Sequence, residues 1–235
     1  MKKNLLILLI SLQMMLTGCF SIIDEIFLDE KGSGKYQTTV DASKMMEMME
    51  MFRTMMPDSV KDGNPEIKDL NLKDSISNMW RGLEKMPGIT DVRRESDDKG
   101  VFSISFRFSD VNALNRALAS RRQSDSSSVA DTSVAYTFQK GRFICNSPQM
   151  NGFGDAFKGL NEGMSGSDSS GMNMDMLKGM MGEMKYTTIY HLPGKILDHT
   201  NKFAKVGTDG KTITLELDLM ETEKGRSLHN DIKFK

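Results

Sequence analysis

The sequence is poor in the residues on which most site chemistry depends. Its 235 residues include three histidines, two cysteines and one tryptophan. His191, His199 and His229 form no pair at helical i, i+4 spacing, and none sits beside a nucleophile motif. They read as surface or structural residues. Carboxylates are plentiful, but no spacing singles out an acid and a base. Gly32, Gly34 and the Gly-rich stretch 152–171 lack the Lys-Ser/Thr of a phosphate-binding loop and the strand-to-helix setting of a dinucleotide site. Charge of one sign is also missing: 31 basic residues face 32 acidic ones, a net −1. That excludes the basic footprint of a nucleic-acid binder and a polybasic grip on anionic lipid. No apolar run is long enough to cross a bilayer, which takes roughly 20 residues. The longest runs only from Leu5 to Leu16. The expectation is a non-enzymatic chain with no cofactor.

What the chain does have begins at its amino terminus. Lys2 and Lys3 precede the apolar run, which Ser11 and Gln13 interrupt. Leu16, Thr17, Gly18 and Cys19 follow. This is the grammar of a secretory signal, with cysteine after the small residues. The pattern resembles a bacterial lipobox. That resemblance implies that signal peptidase II recognises Leu16, Thr17 and Gly18 and cuts before Cys19. It also implies that Cys19 carries a diacylglyceryl thioether. Residues 1–18 then form the signal peptide and residues 19–235 the domain outside the cytoplasm. Membrane attachment would run through the lipid on Cys19. Phe20, rather than Asp, follows it, which by the enterobacterial sorting rule favours the outer membrane over the inner. With Cys19 lipidated, only Cys145 remains, too few for an intrachain disulfide or a zinc site. Cys145 reads as a small buried apolar residue.

The rest of the chain alternates strand patterns with Gly-containing turns. Phe20–Asp29 and Lys35–Asp41 predict a hairpin, and so do Ile89–Glu95 with Val101–Phe108. Phe102, Ile104, Phe106 and Phe108 share one face of their strand, while Ser103, Ser105 and Arg107 share the other. Val134–Gln139 with Arg142–Asn146 predict a third hairpin, and Phe203–Val206 with Thr212–Leu219 a fourth. Tyr186–Leu192 and Asp231–Lys235 read as further strands. Helices are predicted from Asp41 or Ser43 to Met56, from Asp74 to Met86, over Val111–Arg121, and over Met172–Met184. Segments 122–133 and 147–171 are rich in Ser, Gly, Asp and Asn and read as flexible loops. A hairpin with an Asp-containing Gly turn, then Asp and a helix, occurs at 29–56 and again at 97–121. The fold class expected is α+β: antiparallel hairpins forming a sheet, with three or four helices packed on one face.

Methionine is the compositional anomaly, at 21 residues. Met is flexible and polarizable and fills irregular gaps, so two Met-rich helices read first as soft core. A second reading makes Met45, Met49, Phe52, Met176 and Met180 an apolar ligand surface. A third reading notes that thioethers are soft ligands suited to Cu(I). Met172, Met174 and Met176 are then the candidate ligands.

The tail carries a further resemblance. Tyr190-His191-Leu192-Pro193-Gly194-Lys195-Ile196, Asn201, Asp209-Gly210-Lys211-Thr212-Ile213-Thr214 and Ile232-Lys233-Phe234 resemble the closing strands of LppM-like bacterial lipoproteins. The resemblance implies an α+β domain displayed outside the cytoplasm, binding lipid or an envelope protein, and no catalytic residues. The expected role is therefore a lipid-anchored binding or interaction module of the cell envelope. A Met-rich Cu(I)-binding lipoprotein and a structural envelope component stand as alternatives.

Overall fold

The computed structural model describes residues 18–55, 80–122, 134–146, 183–218 and 227–235. The chain is built mainly of strands. β1 (Gly18–Leu28) and β2 (Gly34–Asp41) form the first hairpin. Asp29 closes it: Oδ1 accepts the N–H groups of Lys31 at 2.8 Å and Ser33 at 3.0 Å. β3 (Ile89–Ser96) and β4 (Val101–Phe108) repeat the device. There Asp97 accepts from the N–H of Lys99 at 3.0 Å and of Val101 at 2.8 Å. Short polar side chains favour such turns because they supply the hydrogen bond that the reversing backbone lacks.

A third turn of the same kind leads into β10 (Thr212–Asp218), which pairs with β9 (Lys205–Val206). Asp209 Oδ2 accepts the Thr212 hydroxyl at 2.6 Å, and Oδ1 accepts the N–H groups of Lys211 and Thr212, each at 2.9 Å. The Thr212 hydroxyl foremost, then those N–H groups, hold the Asp209 carboxyl down to about 2 from its usual 3.8. The folded value lies below the unfolded one. The turn's contribution is therefore complete above the unfolded value and is lost as pH falls through the folded one. A carbon-13 NMR titration is expected to place the Asp209 midpoint at about 2, and in Thr212→Val to move it up toward 3.8. A wild-type midpoint at the ordinary value would contradict this turn geometry.

The strands make two sheets. The larger has seven strands in the order β3-β4-β2-β1-β7-β10-β9, with β7 spanning Glu183–His191. The smaller has the order β5-β6-β11-β8: Tyr136–Gln139, Arg142–Cys145, Asn230–Phe234 and Ile196–His199. The larger sheet is not wholly antiparallel, because β1 and β7 run parallel from Phe20 to Phe27, with a register shift between Gly18 and Phe20.

Side chains alternate across the larger sheet, as a period of two requires. Ile22, Ile26, Leu28, Tyr36, Val40, Phe102, Ile104, Phe106, Phe108, Tyr186, Tyr190, Ile213 and Leu215 turn to one face and are buried. Tyr36, Trp80 and Phe106 form one ring cluster, with centroids 5.1–5.9 Å apart. Tyr190 of β7 meets Tyr136 and Phe143 of the smaller sheet at 6.1 and 5.3 Å. The sheets therefore pack face to face through aromatic rings. Arg142 and Asp231 tie β6 to β11, with Nε 2.8 Å from Oδ1.

Two α-helices occur among the described residues, α1 (Ser43–Met55) and α2 (Val111–Arg122). Asp110 caps α2 by accepting the Ala113 N–H at 2.9 Å, and Asp41 accepts the Ser43 N–H at 3.0 Å ahead of α1. Such side-chain acceptors satisfy amide donors that a helix start leaves open. Ala113, Leu114, Ala117 and Leu118 face the core from α2.

The expected α+β fold, with three or four helices on one face of an antiparallel sheet, is therefore corrected to a mostly β fold with two sheets and short helices. The physical reasons are local. Of the helix expected over 74–86, residues 74–79 lie outside the described residues. Residues 80–86 form turns and the single 3-10 turn Leu83–Lys85, entered through Gly82 at φ 86°. Arg94 pins this turn to β3, bonding the Trp80 carbonyl at 2.8 Å and pairing with Glu84. Residues 172–182 of the last expected helix lie outside the described residues. Its final methionine, Met184, belongs to β7, where Met184, Tyr186, Thr188 and Tyr190 alternate inward. The loops expected at 122–133 and 147–171 fall outside the described residues except Arg122, which ends α2.

Candidate functional site

Leu16 and Thr17 lie outside the described residues. Gly18 and Cys19 are the first two residues of β1, and Gly18 stands opposite Glu183. Phe20 is already buried, as is Ile22. Described core residues are thus reached one position after Cys19. A group attached at Cys19 would be joined to the sheet with almost no tether. At the same end of the sheet, Asp41 ends β2 opposite Ser21 and also faces Val101, the start of β4. The 97–100 turn and the start of α1 thus share that end. The Ala42 N–H donates to the Gly100 carbonyl at 3.0 Å, and a Cβ on Gly100 would lie 2.5 Å from Met46 Sδ.

The methionines of α1 divide. Met45 is 8% exposed and packs in the core, whereas Met46 and Met51 are 39% and 58% exposed. Glu47, Glu50 and Thr54 of the same helix are exposed. The side chains of Met49 and Phe52 lie outside the described set, and so do Met172, Met174, Met176 and Met180. Among the described residues, no group of three or more His, Cys, Asp or Glu could hold a metal ion. Among them too, no helix is long and apolar enough to cross a membrane, which says nothing of strands.

Several of the scarce reactive side chains make contacts within the fold. His191 stacks on Phe27 at 4.1 Å with rings 1° from parallel, and its Nε2 lies 3.4 Å from Glu25 Oε1. His199 Nδ1 lies 3.1 Å from the Asn201 carbonyl, while His229 is exposed. Asp24 is 4% exposed and accepts the Tyr186 hydroxyl at 2.5 Å. Its neighbours across the sheet are Thr38 and Thr188, not a second carboxylate or a histidine. Cys145 is fully buried, and the Tyr190 hydroxyl donates to its Sγ at 3.0 Å. Burial pushes the Cys145 thiol up to about 12. A thiol that is protonated and enclosed is a poor nucleophile. Cys145 is therefore expected to resist thiol-specific alkylation in the folded chain at pH 8 and to react on addition of denaturant. Rapid labelling of the folded chain would contradict that placement.

The outer face of the larger sheet holds a feature that sequence reasoning did not find. A cleft of about 260 Å³ lies over β2, β4 and β3. Lys35, Arg93 and Arg107 line it with Gln37, Ser103, Ser105, Asp91 and Glu95. Its shape comes from an irregularity in β3. Thr90 opposes Arg107 and Arg93 opposes Ser105, so residues 91 and 92 together face the single position Phe106, a bulge of one extra residue. Asp91 takes φ 52°, in the left-handed region. A short carboxylate side chain is among the few that tolerate this region. Such bulges bend an edge strand and re-aim its side chains. Local alternation had placed Ser103, Ser105 and Arg107 on one face. It held no sign that Lys35 would stand directly opposite Arg107.

No protein-family model and no curated protein matches the sequence. Among solved structures, the folded domain of Mycobacterium tuberculosis LppM, determined by NMR, is similar at 9% identity, with a TM-score of 0.36. The likeness covers 93% of this chain and 91% of that one. No residue role is carried over from it.

Proposed function

We propose that the chain is an envelope lipoprotein: a non-enzymatic binding module held outside the cytoplasm by lipid on Cys19. The carrying observation is the junction between signal and fold. The lipobox-like Leu16-Thr17-Gly18-Cys19 ends where β1 and the buried core begin, at Gly18 and Phe20. The proposed cut thus falls within one residue of the start of the first strand. Structural use of His191, His199 and Cys145 supports a binding role over catalysis. The outer-membrane preference rests on Phe20 following Cys19, and it belongs to this proposal.

The test is extraction of the full chain from membranes of a bacterial host. Resistance to alkaline carbonate and high salt, with release by nonionic detergent, is the expected result. Two acyl chains hold stably where one would be marginal. Release by carbonate alone would overturn the reading. Converging thioethers would favour copper instead; the candidate ligands Met172, Met174 and Met176 lie outside the described residues.

A further inference from the structure

We infer that the outer-face cleft over β2, β4 and β3 binds a phosphate-bearing ligand through Arg93, Arg107 and Lys35. This names a ligand class for the binding role proposed above and rests on that role. The site itself stands on different residues from the anchor.

The first observation is the placement of charge. Lys35 and Arg107 are direct cross-strand partners on one face. Like charges in that position repel and are ordinarily avoided. Arg93 faces Ser105, two residues from Arg107, and so occupies the diagonal position. Three cations therefore converge on one patch of a chain whose overall charge is close to balanced.

Internal neutralisation is slight. Arg107 Nε lies 4.0 Å from Asp91 Oδ2, and both side chains are more than half exposed. A pair so long and so wet holds its charges weakly. Lys35 Nζ bonds the neutral Gln37 Oε1 at 2.9 Å. Arg93 has no ion-pair partner among the described residues. This contrasts with Arg94 next to it, which is committed to Glu84 and the Trp80 carbonyl.

The second observation is the floor. Ser103, Ser105 and Gln37 are half-buried and line the cleft between the cations. Hydroxyl and amide donors between guanidinium groups suit an oxyanion that accepts from several directions. Guanidinium forks pair bidentately with phosphate, and an ammonium adds a point charge. The third observation is the bulge at residues 91 and 92, two positions of β3 against one of β4, which keeps β3 from continuing as a flat strand beside β4. A flat, fully paired strand would have no reason to break here. Asp91 and Glu95 line the same cleft and limit the site's appetite for anions.

The test uses the full chain in dodecylmaltoside micelles, with inorganic phosphate as the probe and backbone amide NMR as the readout. Saturable shifts are expected at Arg93, Ser103 and Ser105. Arg93→Gln is expected to weaken phosphate binding by about tenfold, the loss of one charge-assisted contact. Asp91→Asn is expected to tighten it, since it removes the competing carboxylate. Lys195→Gln, a cation outside the cleft, is expected to leave it unchanged. Doping the micelles with phosphatidylglycerol separates two sources of phosphate. Cleft amides already shifted in doped micelles assign the site to a lipid headgroup. Amides that respond only to added phosphate assign it to a soluble phosphate ester. No saturable shift in either setting, or equal affinity in wild type and Arg93→Gln, overturns the inference. That result would leave membrane extraction, and so the anchor, untouched.

Discussion

Cys19→Ala is expected to leave the chain as an uncleaved, unacylated precursor. The sulfur is the atom that would carry the diacylglyceryl group, and no other described cysteine can replace it. Cys145 is enclosed between the two sheets, with its thiol pushed up to about 12. Each buried methylene contributes about 0.8 kcal/mol to membrane attachment, so the loss of two acyl chains removes the whole anchor rather than part of it. The variant's only remaining apolar element outside the domain is the Leu5–Leu16 run, which is too short to span. Palmitate labelling should therefore fall from strong to background, and the variant should migrate more slowly than wild type because residues 1–18 are retained. A mature, acyl-labelled Cys19→Ala protein would contradict the assignment.

Phe106→Ala is expected to destabilise the fold by about 3–5 kcal/mol, the usual cost of removing a buried phenyl ring and leaving its cavity. Phe106 is fully buried in β4, and its ring touches both Tyr36 and Trp80. It thus joins the central strands to the 80–86 turn. Phe106 is paired with Tyr36 of β2, and β4 pairs with β3 on either side of the bulge opposite it, so the site has little freedom to collapse around the void. Trp80 is the sole tryptophan and is 2% exposed, so its fluorescence reports unfolding directly. A denaturant titration followed at this residue should show the midpoint fall. Phe106→Leu should cost much less, because much of the volume is retained. A loss below about 1 kcal/mol for Phe106→Ala would mean that the ring cluster is not a closed core.

Hairpins were legible because both of their signals are local. Phe102, Ile104, Phe106 and Phe108 alternate within eight residues, and Asp97 closes its turn with donors two and four positions on. The same reasoning found the 29–33 and 209–212 turns. The parallel pairing of β1 with β7 was not legible. Its partners are distant in sequence, and no side chain in either strand encodes the other. Helices were overestimated where methionine periodicity was ambiguous. Met184 fits a four-residue spacing from Met172 to Met180, but it also fits the two-residue spacing of Met184, Tyr186, Thr188 and Tyr190, and the strand won. β8, four residues long with two exposed in its middle, gave no pattern at all. The cleft was hidden for the same reason as the parallel pair. Lys35, Arg93 and Arg107 become neighbours only through register, and the bulge at residues 91 and 92 shifts that register by one within β3.

The central claim is that the chain starts its mature life at a lipidated Cys19. Mass spectrometry of the amino-terminal peptide of the full-length protein, isolated from bacterial membranes, tests it most directly. The account predicts a peptide that begins at Cys19 and carries the mass of a diacylglyceryl thioether. A peptide that begins at Met1, or an unmodified Cys19 in membrane-derived protein, would contradict it.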